Sequence, residues 1–171
     1  MNTAILTVVL TCALLAGQNG TSIWQNDYSK AQEQAAIQKK PLVVVFGSGA
    51  EGWVKVVRGA PTPDLTSLLA DKYVCVYVDT TSPVGRKLAQ DFEITGNLGL
   101  VISDHAGTSQ AFWHQGDLTT KTMLHYLEKY SDPRVAVRGT ETVNMLRTSY
   151  YPPDASQGNA PAIGSMRSRS C

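Results

Sequence analysis

The sequence predicts an α/β domain in which a central mixed sheet of four to five strands is flanked by helices. Three observations carry this. Continuous apolar runs recur at 42–46 (LVVVF), 73–78 (YVCVYV) and 98–103 (LGLVIS), the pattern of strands covered on both faces. Amphipathic helical spacings lie between them. Capping and breaking residues mark the boundaries.

The elements follow in order. Asp27 caps a first helix reaching about Gln38, with Tyr28, Ala31 and Ala35 on one face and Lys30, Gln34 and Gln38 more exposed. Lys39 and Lys40 suit the negative helix end, and Pro41 stops it. After the 42–46 strand, Gly47, Ser48 and Gly49 make a flexible turn. A helix is expected from near Glu51 through Val57, interrupted by Gly59, Ala60, Pro61, Thr62 and Pro63. Asp64 is expected to cap a second piece over 65–71, whose Leu65, Leu68 and Leu69 share a face. The 73–78 strand comes next. A helix over 83–92 then turns Leu88 and Phe92 inward. After the 98–103 strand, Asp104-His105-Ala106-Gly107 turns a hairpin with a return strand over 109–114. Thr119 caps a last helix whose Met123, Leu124 and Leu127 face the core. A crossover helix between the first two strands implies parallel pairing, and the hairpin is antiparallel.

This body spans 22–130, about the size of one domain, within a chain of 171 residues. It is preceded by an uncharged segment in which residues 4–16 (AILTVVLTCALLA) form an apolar run followed by Gly17, Gln18, Asn19 and Gly20. That run fits the hydrophobic region of a secretory signal peptide over 1–20 and is short for a membrane span. The chain is therefore expected to be exported, to the periplasm or cell envelope, with no membrane span in the mature chain. Residues 131–171 hold Pro133, Pro152, Pro153 and Pro161, no Lys and five Arg, and end in SMRSRSC. This composition predicts a largely disordered extension, with a short helix over 141–147.

Charge and composition narrow the function. Lys and Arg total 15 against 14 Asp and Glu, a net charge of +1, which argues against a dedicated nucleic-acid binder. Cys12, Cys75 and Cys171 are too few and too scattered for a disulfide scaffold or a cysteine-rich zinc site. His105, His114 and His125 show no paired ligand spacing, so no metal site is expected. No Gly-rich phosphate loop, serine nucleophile elbow or paired-carboxylate motif occurs, and no cofactor is expected.

Several strings in their order resemble the thioredoxin-like superfamily, and within it the short exported thioredoxin-like domains of bacteria. They are Trp24, Asp27-Tyr28, Ala31, Ala35-Ala36, Lys39-Lys40-Pro41 into LVVVF, VCVYVD ending at Asp79, Phe92 before Ile94-Thr95-Gly96, the strand closing at Asp104 with Gly107 in the turn, and Gly116 before the last helix. The resemblance implies a three-layer thioredoxin-like fold. Its redox chemistry uses Cys-x-x-Cys at the start of the helix after the first central strand, where the helix end lowers a thiol pKa. Counting from Phe46, Glu51-Gly52-Trp53-Val54 stands there. The family also places a cis-proline opposite. Asn97-Leu98 stands in that place, and a cis bond before a non-proline residue costs about 2.5–4 kcal/mol.

The expected function is a non-catalytic protein- or peptide-binding module with an extracytoplasmic partner. Glu51, Gly52, Trp53, Asn97, Leu98 and Trp113 are its candidate binding residues. The alternative is thiol-disulfide chemistry through a single cysteine, Cys75 or Cys171. Cys75 sits mid-strand between valines, where a free cysteine behaves as a small hydrophobe. In an oxidising compartment an exposed Cys171 could link two chains by a disulfide.

Overall fold

The computed structural model describes residues 23–50, 52–143 and 146–147. Strand β1 (Trp24–Gln25) leads into α1 (Tyr28–Gln38), capped by the Asp27 carboxylate, which accepts from the Lys30 amide. The helix ends at Lys39 in the left-handed region. Strand β2 (Leu42–Gly47) is buried at every position. A single 3-10 turn (Gly52–Val56) and the short β3 (Val57–Arg58) connect it to α2 (Pro63–Lys72). Strand β4 (Val74–Asp79) is followed by α3 (Pro83–Asp91), capped by Ser82. The β5 (Gly99–Ser103) and β6 (Gln110–Gln115) hairpin precedes β7 (Leu118–Thr119) and α4 (Thr120–Tyr130), capped by Thr119 as expected. Strands β8 (Thr140–Glu141) and β9 (Leu146–Arg147) close the described chain. No helix among the described residues is long and apolar enough to cross a membrane.

The main sheet has seven strands in the order β1-β4-β2-β5-β6-β8-β9, and β3 pairs with β7 in a separate small ladder. Strands β1, β4 and β2 run parallel, while β5 is antiparallel to both β2 and β6. The expected four to five strands undercount the sheet. Strands β1, β8 and β9 are two residues each, too short to show a period of two.

Alternation along β2 and β5 builds two apolar layers. On one face Val43, Val45, Leu100 and Ile102 meet Leu65 and Leu69 of α2 and Met123 and Leu127 of α4. On the other, Val44, Phe46 and Val101 meet Ala31 and Ala35 of α1 and Leu88 of α3. Each fully buried aliphatic contributes about 1.5–3 kcal/mol relative to exposure. Phe92 joins the second layer, stacked edge-on to Tyr28 with ring centroids 5.6 Å apart. The result is helix layers on both sides of a mixed sheet.

Three local expectations are corrected. The helix expected near Glu51 through Val57 is one 3-10 turn, after which Val57 and Arg58 pair with Leu118 and Thr119. Val54, Val56 and Val57 are β-branched, and the ladder to β7 claims the end of the segment. Thr62, not Asp64, caps α2, its hydroxyl accepting from the Leu65 amide at 3.3 Å. Pro63 needs no amide partner and so occupies the first helical position, which puts the cap at Thr62, two residues before Asp64. The helix expected over 141–147 is a strand pair instead, with Thr140 opposite Arg147 and Glu141 opposite Leu146.

The sheet also runs on past Tyr130, where the sequence reading ends the domain. Thr140 is buried and its hydroxyl donates to the Gln110 carbonyl at 3.1 Å. Glu141 accepts from Lys129 at 2.6 Å and from the Tyr130 hydroxyl at 2.8 Å. Burial pushes the Glu141 carboxyl up, and these two hydrogen bonds outweigh it, leaving the group below the usual glutamate value. The segments 1–20 and 148–171, with the expected signal peptide and most of the tail, lie outside the described residues.

Two outcomes follow. A Cβ added at Gly85 would meet the Asp79 backbone carbonyl oxygen at 2.0 Å, so Gly85→Ala forces α3 away from β4. It is expected to cost about 1–3 kcal/mol in urea unfolding, and an unchanged midpoint would refute that close approach. The depressed Glu141 value means its contacts stabilise the fold above the unfolded-state glutamate value. That stability is lost as pH falls through the lower native value. Glu141→Gln is therefore expected to lower the unfolding midpoint at pH 7 and to narrow its gap to wild type in acid.

Candidate functional site

The parallel strands β2 and β4 end side by side, with Gly47 opposite Asp79. The loops leaving them are bound to each other. The Gly47 carbonyl accepts from the Thr80 amide at 2.8 Å and from the Thr80 hydroxyl at 3.0 Å. The Gly49 amide donates to Asp79 Oδ1 at 3.1 Å, and the Tyr77 hydroxyl donates to the Gly49 carbonyl at 2.5 Å. Gly49 has φ +81°, a left-handed conformation that favours glycine in this tight turn.

Asp79 organises the region. Its Oδ1 also accepts from the Thr81 amide at 2.9 Å and the Thr81 hydroxyl at 2.8 Å. The Thr81 and Gly49 amides hold the carboxyl below the usual aspartate range. Its main-chain carbonyl accepts from the Ser82 hydroxyl at 2.9 Å, and Ser82 in turn caps α3. One residue thus ties the end of β4 to the loop after β2 and to the start of α3. Sequence reading passed over this role. The signal was the run Asp79-Thr80-Thr81-Ser82, four capping and turn-forming side chains directly after a strand.

The predicted binding residues fall into two groups. Glu51 lies outside the described residues, while the backbones of Gly52 and Trp53 open the 3-10 turn just beyond this loop. Gly99 pairs with Phe46, so Asn97 and Leu98 enter the sheet beside the exit of β2. Asn97 is exposed. Leu98 is half-buried against the apolar layer that contains Val56, the last residue of the 3-10 turn. The described peptide bonds include no cis bond. These segments therefore share one end of the sheet, with Leu98 on the face of Val56 and Asn97 bordering the α3 side.

Trp113 does not join them. It lies on the opposite face, packed on the α1–α3 layer, and its indole N–H donates to the Phe92 carbonyl at 2.8 Å. Its neighbours Phe112 and His114 turn the other way, their rings stacked at 6.4 Å. Strand alternation gives this opposition, but nothing local in sequence marks Phe92, 21 positions away, as the tryptophan's partner.

Cys75 is 2% exposed in the middle of β4, and its Sγ lies 3.6 Å from the Leu69 carbonyl. Burial pushes its thiol up to about 12. Cys12 and Cys171 lie outside the described residues. Among the described residues no three of His, Cys, Asp and Glu come together as a metal-ligand set.

A cleft of about 580 Å³ opens beside the loop, between the start of α1, the end of β4 and the start of α3. A second hollow borders Asn97 on the far side of α3, with Arg86 and Glu93 at its edge.

The structure is similar to a thioredoxin from Thermus thermophilus, at 20% identity and a TM-score of 0.50, covering 60% of this chain and 82% of that one. The chain has a thioredoxin-like fold, as the sequence resemblance implied. No family model matches it, and no curated protein matches it.

The Asp79 network generates a titration prediction. The native carboxyl sits below the usual aspartate value, so its hydrogen bonds persist above that value and are lost as pH falls through the lowered one. The Gly49 and Thr81 amide chemical shifts should titrate together, at a midpoint below that of a freely solvated aspartate. Independent or unperturbed midpoints would show that the two amides do not share this carboxylate.

Proposed function

We propose that this chain is a non-catalytic thioredoxin-like protein that binds an extracytoplasmic protein or peptide. Its contact surface is the loop over 47–53 together with Asn97 and Leu98. What supports the reading is a loop whose first residues, Gly47 to Gly49, are hydrogen-bonded back to β4 and its following turn, and a sequence without cysteine at the place the family resemblance assigns to the redox pair. The loop is bonded to Asp79, Tyr77 and Thr80, and Gly52-Trp53 follows it in place of a cysteine pair. A preorganised loop loses little entropy on binding, and its free energy goes to contacts.

Thiol chemistry through Cys75 fits poorly with its surroundings. Exchange needs a thiolate with access to a disulfide, and a thiol near 12 is ionised in about one molecule in 100,000 at neutral pH. Trp113 contributes to the reading as a packing residue that fixes the end of α3, not as part of the contact surface. Export to the periplasm or cell envelope rests on the apolar run over 4–16.

Two measurements test the proposal together. The purified protein is expected to leave insulin disulfides intact. Immobilised on resin, it is expected to capture extracytoplasmic partners that Trp53→Ala loses and Cys75→Ser keeps. Insulin reduction abolished by Cys75→Ser would restore the thiol reading. Identical capture by Trp53→Ala and wild type would remove the loop from the binding surface.

A further inference from the structure

The 580 Å³ cleft lies at a topological switch. The connection after β2 passes to the α2 side of the sheet and the connection after β4 to the α3 side, so the two chains diverge beyond the carboxyl ends of adjacent parallel strands. In open α/β sheets ligands favour this crevice, and the volume is that of a small-molecule site.

Its walls combine two chemistries. Val78, Leu88 and Val84 supply apolar surface, and Val84 is 77% exposed. Asp27 and Asp79 supply carboxylates, and among the described residues no Lys, Arg or His lines the cleft. The two acids differ in what they have left to offer. Asp27 caps α1 and pairs with Lys30 at 3.4 Å. Asp79 has no ion pair among the described residues. Its Oδ1 is saturated by two amides and the Thr81 hydroxyl, whereas among the described residues Oδ2 accepts only from that hydroxyl, at 2.9 Å. At the start of α3 the Gly85 amide donates to the Ser82 hydroxyl and not to Asp79. What remains is an ionised oxygen with unused acceptor capacity beside an apolar wall.

We propose that this cleft binds a small organic cation with an apolar body, an aryl- or alkylammonium compound. The body lies against Val78, Val84 and Leu88, and the ammonium donates to Asp79 Oδ2. The site borders the loop surface of the proposed function at Ala50, but its binding groups lie outside that loop and would stand if the loop bound nothing.

The test uses the full chain and amide chemical shifts of Val78, Val84 and Leu88, titrated with three probes of one shape: phenethylammonium, phenethyl alcohol and hydrocinnamate. The ammonium is expected to bind about fivefold more tightly than the alcohol, with the carboxylate weakest. Asp79→Asn keeps an acceptor oxygen for Gly49 and Thr81 and removes the charge. It is expected to reduce the ammonium to the affinity of the alcohol. Val84→Lys alters an exposed side chain and places a cation at the mouth, so it is expected to weaken the ammonium and spare the carboxylate. Equal affinities for the three probes, no shift at these amides, or a preference unchanged in both variants would overturn the proposal.

Discussion

Strand β2 is buried on both faces along its whole length, and this constraint shapes its surroundings. A strand with valines pointing both ways must be covered from two sides. Its neighbours in the sheet must also take every backbone donor and acceptor it presents. Strands β4 and β5 satisfy the backbone, one parallel and one antiparallel. Helices α2 and α4 cover Val43 and Val45, and α1 and α3 cover Val44 and Phe46. The placement of the helices in turn decides where loops can gather. Both parallel strands deliver their chains to one end of the sheet, and the groups with unspent chemistry collect there.

At that end a carboxylate holds the start of the loop that follows β2. A strand-to-helix junction with glycines at 47 and 49 has large conformational freedom to lose. Here the loss is offset by a carboxylate rather than a disulfide. Asp79 draws in the Gly49 and Thr81 amides, and Tyr77 reaches over to hold the Gly49 carbonyl. Charge-assisted bonds of this type are about twice as strong as neutral ones. The bonds to Gly47 and Gly49 point back into β4 and its following turn.

The parts of this fold that could be read from sequence are those whose signal is local and repeated. Helix α1 announces itself through Asp27, its alanine face and Pro41, and β2 and β4 through uninterrupted apolar runs. The threonine cap of α4 acts within three residues of Thr119. What sequence could not supply is contact between distant segments. Trp113 reads as an exposed recognition residue until Phe92 is seen beneath it. Leu98 gains meaning only when the pairing of Gly99 with Phe46 places it beside the exit of β2. Glu141 looks like a helix former, and the ammonium and phenol that meet it come from α4. The two-residue strands were invisible for the same reason: only a partner makes them strands.

Strand β8 bears on the outer margin of the sheet. Strand β6 carries Ala111, Phe112 and Trp113 in succession, and β8 lies along its outer side, pairing Phe112 with Glu141. Sheet margins with such sequences recruit passing chains unless something occupies their hydrogen-bonding groups. A polypeptide stopping at Tyr130 would keep both helix layers and yet bare that margin to its neighbours. The few residues around Thr140 therefore occupy the outer side of β6 at its most apolar stretch, at small cost in length.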